Sequence, residues 1–369
     1  MKWNWQQLDW PHFTYDQKHL VELEHQFIHN SGMLIGALKH IKADEEKELI
    51  VGLVSEEALK TSEIEGEFLN RESLQSSIRR HFGLACNKCH IPLAEQGISE
   101  MMIDLYRTFD SPLTKKGLST WHEMLMRGRK DLTDRGRYRS HGDPMQVVSG
   151  PVHHPKIHFE APPSKNVAGE MRKFVAWFNQ TAPHRSGSLP ALLRASIVHL
   201  YFVSIHPFED GNGRLARALS EKSLSQNLNH PTLIALSYEI QKHRKDYYQA
   251  LEKNNKENHI SHWILYFSKT ILNAQSYTQM RIEFLIDKTK FYDRFRNKLN
   301  VRQDKVIARM FREGPEGFQG GLSAENYIRM TKTSRATATR DLKNLVEIGV
   351  LKKRGSRKHT RYYLKNLGK

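Results

Sequence analysis

The sequence of 369 residues contains only two cysteines and no stretch of eighteen apolar residues. Two cysteines in so long a chain cannot supply a disulfide framework, which is typical of a reducing compartment. The longest apolar run, residues 192–208, is interrupted by Arg194, His199 and His206, so the sequence predicts no transmembrane helix. The N-terminus lacks the basic and apolar pattern of a signal peptide. We therefore expect a cytoplasmic protein with no membrane partner.

Internal repeats and low-complexity segments are also missing, and 38% hydrophobic with 26% charged residues is the composition of a folded chain. The net charge of +17 is unevenly distributed. Residues 288–369 carry 22 lysines and arginines against 7 aspartates and glutamates, a net charge of +15. The remainder of the chain is nearly neutral. This asymmetry predicts a polyanionic partner for the C-terminal region alone.

The spacing of apolar residues predicts a mainly α-helical fold. The helical segments that we predict up to residue 299 are 20–41, 47–66, 92–109, 117–126, 167–179, 189–205, 213–226, 241–251, 261–267 and 274–299. Alternating residues at 146–150 and 156–159, separated by a turn-rich segment, predict one short β-hairpin. The last helix, 274–299, is polar and is interpreted as a connector to the basic region.

The segment 206–217, with the sequence HPFEDGNGRLAR, carries the densest chemistry. Gly211 and Gly213 flank Asn212, so consecutive backbone N–H groups can converge on phosphate oxygens at the start of a new helix. Arg214 and Arg217 lie one turn apart on one helix face, where both guanidinium groups can bind the same anion.

Two further residues of this segment suit a reaction at that anion. Asp210 is a carboxylate beside the predicted phosphate site, where it can hold Mg²⁺. His206 precedes it by four residues, and an imidazole is the usual group for taking a proton from an attacking hydroxyl. The combination predicts a site for nucleotide phosphates. A turn between two helices, with glycines for geometry and arginines for solubility, is the structural alternative.

Residues 206–217 resemble the signature of the Fic domain family, H-P-F-x-[DE]-G-N-G-R-x-x-R, at every fixed position. The resemblance implies a helical core that transfers AMP from ATP and Mg²⁺ to a Ser, Thr or Tyr hydroxyl of a target protein, including its own. By this resemblance His206 is the general base and Asp210 the Mg²⁺ ligand. The backbone of residues 211–213 and the two arginines bind the phosphates. In the kinase-like branch a lysine replaces the glycine at Gly213, so Gly213 favours nucleotidyl over phosphoryl transfer. The resemblance also implies self-association as a dimer.

A second motif lies upstream. Residues 61–66, TSEIEG, are similar to [ST]-x-x-x-E-[GN], the inhibitory-helix pattern of Fic proteins. By this resemblance Glu65 pairs with Arg217, where its carboxylate excludes the γ-phosphate and repels the triphosphate. The alternative is an ordinary helix C-terminus ending at Gly66. The aromatic N-terminal residues resemble an accessory helical region that precedes some Fic cores.

The resemblance extends to the hairpin and to one later helix. Val147, Val148 and Ser149 resemble the flap that holds a target segment by strand addition, with ordinary strand packing as the alternative. Tyr247 and Tyr248 resemble residues on the adenine side of the nucleotide, although core packing is the favoured interpretation for two tyrosines on a helix.

The two cysteines form a pattern with a histidine, Cys86-Asn87-Lys88-Cys89-His90. This spacing is that of c-type haem attachment, and His81 nearby adds a ligand for a zinc site. Haem attachment requires export, which the N-terminus does not support, so we interpret the pair as free thiols. His199, on an apolar helix, is interpreted as a hydrogen-bonded core histidine.

The basic region resembles a winged helix-turn-helix domain: three helices, the third capped by Ser334, followed by a hairpin whose turn is rich in Lys and Arg. The predicted DNA-contacting residues are Arg335, Thr337, Arg340, Arg354 and Arg357. Alternatives are a solvated charged face or a surface for protein contacts. Net charge beyond what solubility requires favours DNA.

Together these patterns predict four regions: an accessory region with the inhibitory helix (1–90), a Fic-type core (91–272), the connector (273–299) and the winged helix (300–369). The leading hypothesis is an autoinhibited protein adenylyltransferase. A nucleotide-responsive transcription regulator without transfer activity is the rival, and an intact His206 argues against it. Removal of AMP by the same site, with Glu65 orienting a water, is a third hypothesis.

Overall fold

The computed structural model describes residues 2–18, 20–39, 41, 43–85, 90–151, 153, 155–314, 317–318 and 320–365. Cys86 and Cys89, and with them the proposed thiol or metal pattern, lie outside these residues. The chain forms two compact units, Met1–Ser276 and Tyr277–Lys369. Among the described residues, no helix is both long and apolar enough to cross a bilayer.

The first unit is helical apart from one hairpin. Its elements are α1 (Leu20–Leu38), α2 (Ala43–Ile64), α3 (Arg71–His81), α4 (Leu93–Arg107), α5 (Lys115–Leu125), β1 (Gln146–Ser149), β2 (Lys156–Glu160), α6 (Ser164–Gln180), α7 (Ala191–Ile205), α8 (Asn212–Leu228), α9 (Leu236–Lys242) and α10 (Arg244–Lys253). The last helix, α11 (Ser261–Phe295), starts in this unit and continues into the second.

Helix α7 is the centre of the first unit. It is mainly apolar and buried on nearly all faces, with Leu192, Val198 and Phe202 fully buried, and such a helix is stable only when other helices surround it. Helix α8 packs directly against it. The short loop between α7 and α8 therefore has both of its ends held by the core, so its side chains are fixed in position.

The N-terminal aromatic residues hold the base of the hairpin. The Trp3 ring meets Phe159 of β2 edge to face, with 5.4 Å between ring centroids, and Trp5 donates its indole N–H to the Glu160 carbonyl at 2.6 Å. Trp10 donates to Glu170 of α6 at 2.8 Å. These contacts give the accessory region a structural role that the sequence did not reveal.

The second unit contains α12 (Val301–Arg312), α13 (Ala324–Thr331), α14 (Arg335–Glu347) and an antiparallel hairpin of β3 (Leu351–Arg354) and β4 (Arg361–Leu364). Asp341 of α14 joins the three helices because it accepts hydrogen bonds from Tyr327 at 2.9 Å and from Arg302 at 2.9 Å. Burial alone would raise the pKa of Asp341, but the hydrogen bonds from Arg302 and Tyr327 outweigh it and lower that pKa. Ser334 caps α14 by accepting from the Thr337 N–H at 3.3 Å.

Two helix predictions were wrong. The segments 261–267 and 274–299 are parts of one continuous helix, α11, because no glycine or proline interrupts residues 261–295. Helix α3 was not predicted, because it has few apolar residues: only Leu74 and Ile78 provide its buried face, together with two serines.

Candidate functional site

The loop from His206 to Gly211 is shaped by two residues with left-handed backbone. His206 (φ +51°) ends α7, and Gly211 (φ +78°) turns the chain into α8. A side chain at Gly211 would lie 2.6 Å from the methyl carbon of Met126. The Asn212 amide closes the loop by accepting from the Phe208 N–H at 3.0 Å and donating to the Phe208 carbonyl at 2.8 Å. The free N–H groups at the start of α8 thus face one fixed place.

His206 is held as a neutral imidazole. Its Nδ1 lies 3.3 Å from the Val203 carbonyl oxygen, and its own carbonyl accepts from Arg139 Nε at 2.8 Å. Because a carbonyl can only accept, Nδ1 carries the proton and Nε2 keeps its lone pair. Burial lowers the pKa of His206 to about 4. At neutral pH this ring can therefore take a proton.

Both arginines of α8 are buried and held by the segment at the end of α2. Arg217 is 1% exposed, and it donates to the Thr61 hydroxyl at 2.8 Å, to the Thr61 carbonyl at 3.0 Å and to Glu65 Oε1 at 2.7 Å. Arg214 is 4% exposed and forms an ion pair with Glu67. The sequence motif predicted the pairing of Glu65 with Arg217, but it predicted neither the contact of Thr61 with Arg217 nor that of Glu67 with Arg214. Thr61 and Glu65 share one helix face at spacing i, i+4, and the turn at Gly66 brings Glu67 to the second arginine.

Each of the two arginines also has one nitrogen whose hydrogen-bonding capacity is not used by the described part of the chain. Nη1 of Arg217 and Nε of Arg214 are buried and have no hydrogen-bond partner within the described part of the chain. Buried N–H groups of a cation are costly without an acceptor. Together with the start of α8, these groups form a site that an anionic ligand would complete.

Gly213 permits the contact between Glu65 and Arg217. A Cβ at this position would overlap the Glu65 carboxylate and lie 3.1 Å from Arg217 Nη1. Any larger residue at 213 must therefore displace the Glu65 side chain or the guanidinium.

Asp210 is the carboxylate of the loop. It forms an ion pair with Arg129, and its other oxygen lies 3.7 Å from Arg214. Burial would raise the pKa of Asp210, but the charge of Arg214 and further hydrogen bonds lower it, so the group is ionised. Within the residues described above, no cluster of three or more His, Cys, Asp or Glu side chains is arranged to bind a metal by itself.

Glu65, His206, Asp210 and Gly213 line one cavity of about 750 Å³. Its other walls come from the hairpin, with Val147, Val148 and Ser149, and from α10. Both valines are exposed on β1. Both tyrosines of α10 line the cavity: the Tyr248 hydroxyl lies 3.5 Å from Glu65 Oε2, whereas Tyr247 is 2% exposed and its hydroxyl lies 3.2 Å from His199 Nε2. His199 is thus a buried core histidine with a hydrogen-bond partner.

The residues predicted to contact DNA lie in the second unit. Arg335 and Thr337 stand in the first turn of α14, and Arg340 follows on the same helix. Arg354 ends β3 with its guanidinium 5.4 Å from the centre of the Tyr363 ring, and Arg357 lies in the turn of the hairpin. The arginine side chains are exposed, and Thr337 is half-buried.

The comparisons with known proteins agree with this geometry. The Fic/DOC family model matches residues 112–224, and a domain of unknown function (DUF4172) matches residues 3–84. A Fic family protein from Desulfovibrio desulfuricans has a similar structure, with 19% identity, a TM-score of 0.55 and coverage of 96% of this chain and 98% of that one. A Fic domain-containing signalling protein from Bacteroides thetaiotaomicron has 19% identity, a TM-score of 0.51 and coverage of 68% and 95%.

Residues 112–224 are therefore a Fic/DOC family domain. At these identities the two solved structures establish the fold and no more. Proteins with a Fic domain are typically transferases that move nucleotidyl groups. The site described above lies in this domain, apart from the contributions of α2, of Glu67 and of α10.

Proposed function

We propose that this chain is an autoinhibited protein adenylyltransferase. It transfers AMP from ATP to a Ser, Thr or Tyr hydroxyl of a protein, including its own. The observation that carries the proposal is the loop that joins neutral His206 to the start of α8, where Nε of buried Arg214 and Nη1 of buried Arg217 have no hydrogen-bond partner in the described part of the chain. A base next to an incomplete anion site is what transfer of a phosphate-linked group requires.

In the reaction, His206 Nε2 takes the proton of the attacking hydroxyl. The hydroxyl oxygen forms a bond to the α-phosphorus, and the bond from that phosphorus to the pyrophosphate oxygen breaks. The N–H groups at the start of α8 and the guanidinium groups of Arg214 and Arg217 bind the phosphate oxygens and stabilise the negative charge of the departing pyrophosphate. The loop supplies position and charge, and it needs no covalent intermediate.

Asp210 fits a magnesium site of the kind that a nucleotide completes. It is an ionised single carboxylate beside the anion site, and Mg²⁺ is usually bound by one or two carboxylates together with substrate phosphates. When bound, the ion neutralises phosphate charge. Arg129 forms an ion pair with Asp210 in the free protein, so it keeps this carboxylate paired until a cation takes its place.

Glu65 is the inhibitory group of the proposal. Its carboxylate uses the Arg217 N–H that a terminal phosphate would accept from, and it adds a negative charge where the triphosphate would lie. Glu67 does the same at Arg214. Displacement of the segment that ends α2 would release both arginines together, because both carboxylates belong to it.

The hairpin is the proposed docking element for a target segment. Val147 and Val148 expose apolar side chains at the cavity, and an extended segment can add to a strand edge by backbone hydrogen bonds. This mode positions a hydroxyl at the cavity without a strict demand on the target sequence.

For the second unit we propose a winged helix that binds DNA. Support comes from three helices followed by a two-stranded hairpin, from the exposed arginines of α14 and the hairpin turn, and from the net charge of +15 over residues 288–369. The rival function, a nucleotide-responsive regulator without transfer, has this unit in common. Removal of AMP by the first unit requires Glu65 to orient a water instead of inhibiting.

The test is label transfer to protein from α-³²P-ATP with Mg²⁺. We expect low transfer for the wild type, transfer raised at least tenfold in Glu65→Gly, and no transfer to other proteins in Glu65→Gly combined with His206→Ala. Glu63→Gln is the matched control, because Glu63 belongs to the same helix but pairs with Lys60; it should behave as wild type. Equal transfer by wild type and Glu65→Gly would refute the inhibitory role, and release of AMP from a labelled protein by the wild type would favour the reverse reaction.

A further inference from the structure

Three side chains form a hydrogen-bonded series at the edge of the cavity. Ser149 Oγ lies 2.6 Å from His158 Nε2, and His158 Nδ1 lies 3.0 Å from Glu252 Oε2. They come from β1, β2 and α10. Hydroxyl, imidazole and carboxylate in this order are the arrangement that activates a serine for nucleophilic attack.

The carboxylate determines which nitrogen of His158 carries the proton. A hydrogen bond from Lys156 lowers the pKa of Glu252, and the bond to His158 adds to this effect. An ionised carboxylate can only accept, so His158 Nδ1 donates to it, and in this tautomer Nε2 is the acceptor. The remaining partner of Nε2 is the Ser149 hydroxyl, which therefore donates its proton toward the base.

The backbone directs His158 to this position. Val147 pairs with Phe159, and the next pair along the hairpin is Val148 with Ile157, so His158 is the extra residue of a β-bulge. Bulges re-aim a side chain and often lie beside active sites. The His158 carbonyl is also fixed, because it accepts from Asn255 Nδ2 at 2.9 Å. The backbone at His158 is thus held in place by the bulge and by the hydrogen bond from Asn255.

The series opens onto the cavity of the candidate site. Ser149, His158 and Glu252 line the same space as His206 and Asn212, and the Ser149 side chain is exposed. The mechanism proposed above uses His206 as its base and gives His158 and Glu252 no role.

We propose that Ser149 is an activated nucleophile with its own base, His158, and that it is a site in this chain that accepts the nucleotidyl group. The donor in this step rests on the proposed function. Ser149 Oγ bonds to the α-phosphorus of ATP, its proton passes to His158 Nε2, and pyrophosphate leaves with the electron pair of the broken bond. Glu252 stabilises the imidazolium that forms.

Modification at Ser149 has a direct consequence for the hairpin. It places AMP at the end of β1, where a target segment would add to the strand. Self-modification and target modification therefore exclude one another on the same hairpin.

Reactivity with a fluorophosphonate probe tests the activated serine without any nucleotide. In the full chain we expect the probe on Ser149, no such adduct in Ser149→Ala, and a rate about a hundredfold lower in His158→Gln, as for loss of a general base. Glu252→Gln should lower the rate less. His153→Gln, in the turn of the same hairpin, is the matched control and should react as wild type. An unmodified Ser149 in the wild type, or an unchanged rate in a His158→Gln variant with wild-type melting temperature, would overturn the proposal.

Peptide mapping after incubation of Glu65→Gly with ATP and Mg²⁺ tests the acceptor role. We expect AMP on Ser149, with that label lost in Ser149→Ala and reduced in His158→Gln. Label on other residues alone would overturn the role of Ser149 and leave the proposed function standing. If the probe modifies Ser149 but no residue of any protein takes the label, the proposed function has failed, and the acceptor role fails with it while the activated serine stands.

Discussion

Arg214 and Arg217 are buried beside the cavity with fixed partners, whereas Arg335 of the second unit is 78% exposed with one long ion pair to Glu325 at 3.4 Å. Removing a guanidinium from water is expensive unless its N–H groups find acceptors. The arginines of α8 are therefore tied to particular ligands: a carboxylate of the chain or a phosphate of the same shape. The exposed arginines keep their hydration and suit any polyanion.

This difference separates what each unit can recognise. A buried guanidinium with fixed geometry selects its anion by position and is little affected by salt. An exposed basic surface attracts phosphates over a distance of about one Debye length and loses this attraction as salt rises. The same residue type thus suits a specific small-anion site where it is buried and a salt-sensitive surface where it is exposed.

The largest expected effect comes from removing one of the buried guanidinium groups. In the Glu65→Gly background, Arg217→Ala should lower label transfer about 10²- to 10³-fold, as removal of one charge-stabilising donor does in other enzymes. Arg340→Ala, an exposed arginine of α14, is the control and should leave transfer unchanged. Rates from α-³²P-ATP measure both. A loss of less than about threefold in Arg217→Ala would contradict the role of this group as a phosphate ligand.

The next effect concerns the exposed arginines of the second unit and their proposed binding to DNA. Binding of the full chain to duplex DNA should weaken by one to several orders of magnitude between 50 and 200 mM salt, because each neutralised phosphate contributes about −0.9 to the slope of log affinity against log salt. Arg354→Ala with Arg357→Ala should make this slope about two units shallower. Fluorescence anisotropy at several salt concentrations measures it. A slope near zero in the wild type would refute the DNA-binding surface.

A third prediction concerns two buried carboxyls between α2 and α8. Glu57 and Glu221 are both buried, and desolvation raises the pKa of Glu57 from 4.5 to about 7 and that of Glu221 well above 4.5, with Glu57 adding to the latter shift. The folded state then binds more protons than the unfolded state, so the free energy of unfolding should fall as pH rises from about 4.5 through 7. The contribution is on the order of 1 to 3 kcal/mol, since one pKa unit corresponds to about 1.4 kcal/mol.

Urea unfolding at pH 5 and pH 8 measures this dependence. Glu57→Gln should flatten it, because the amide is neutral at both pH values, whereas Glu63→Gln, on the surface of the same helix, should not. A free energy of unfolding that rises over this interval in the wild type would contradict the assignment. The result also bears on the difference between the two units. Carboxyls buried near the arginines of α8 would make the free energy of unfolding depend on pH, whereas the exposed charges of the second unit would not.

The smallest effect is a displacement of the pH profile. Because burial lowers the pKa of His206 to about 4, the base is unprotonated throughout the neutral range. The ring borders an open cavity, so we expect the acid limb of transfer by Glu65→Gly to lie between this value and the ordinary 6.5. Initial rates from pH 4.5 to 8 measure it. A limb at or above pH 6.5 would contradict burial of the base.

The two units also differ in how far their sequences predicted them. The order of the signature residues and the pairing of Glu65 with Arg217 followed from the resemblance, and the helices of the second unit followed from periodicity and from a serine cap. Thr61, Glu67 and Arg129 did not, because their contacts depend on how α2 ends at Gly66 and where neighbouring loops lie. Ser149, His158 and Glu252 are brought together only by a bulge in the hairpin, and no local pattern marks such a bulge.

Transfer of label from two forms of ATP tests whether the site transfers AMP to protein. Glu65→Gly is incubated with Mg²⁺ and either α-³²P-ATP or γ-³²P-ATP, and protein-bound label is measured for each. The account predicts label from the α-phosphate alone, and in the variant that also carries His206→Ala it predicts loss of the label on every residue other than Ser149. Label from the γ-phosphate, or none from either form, would contradict it.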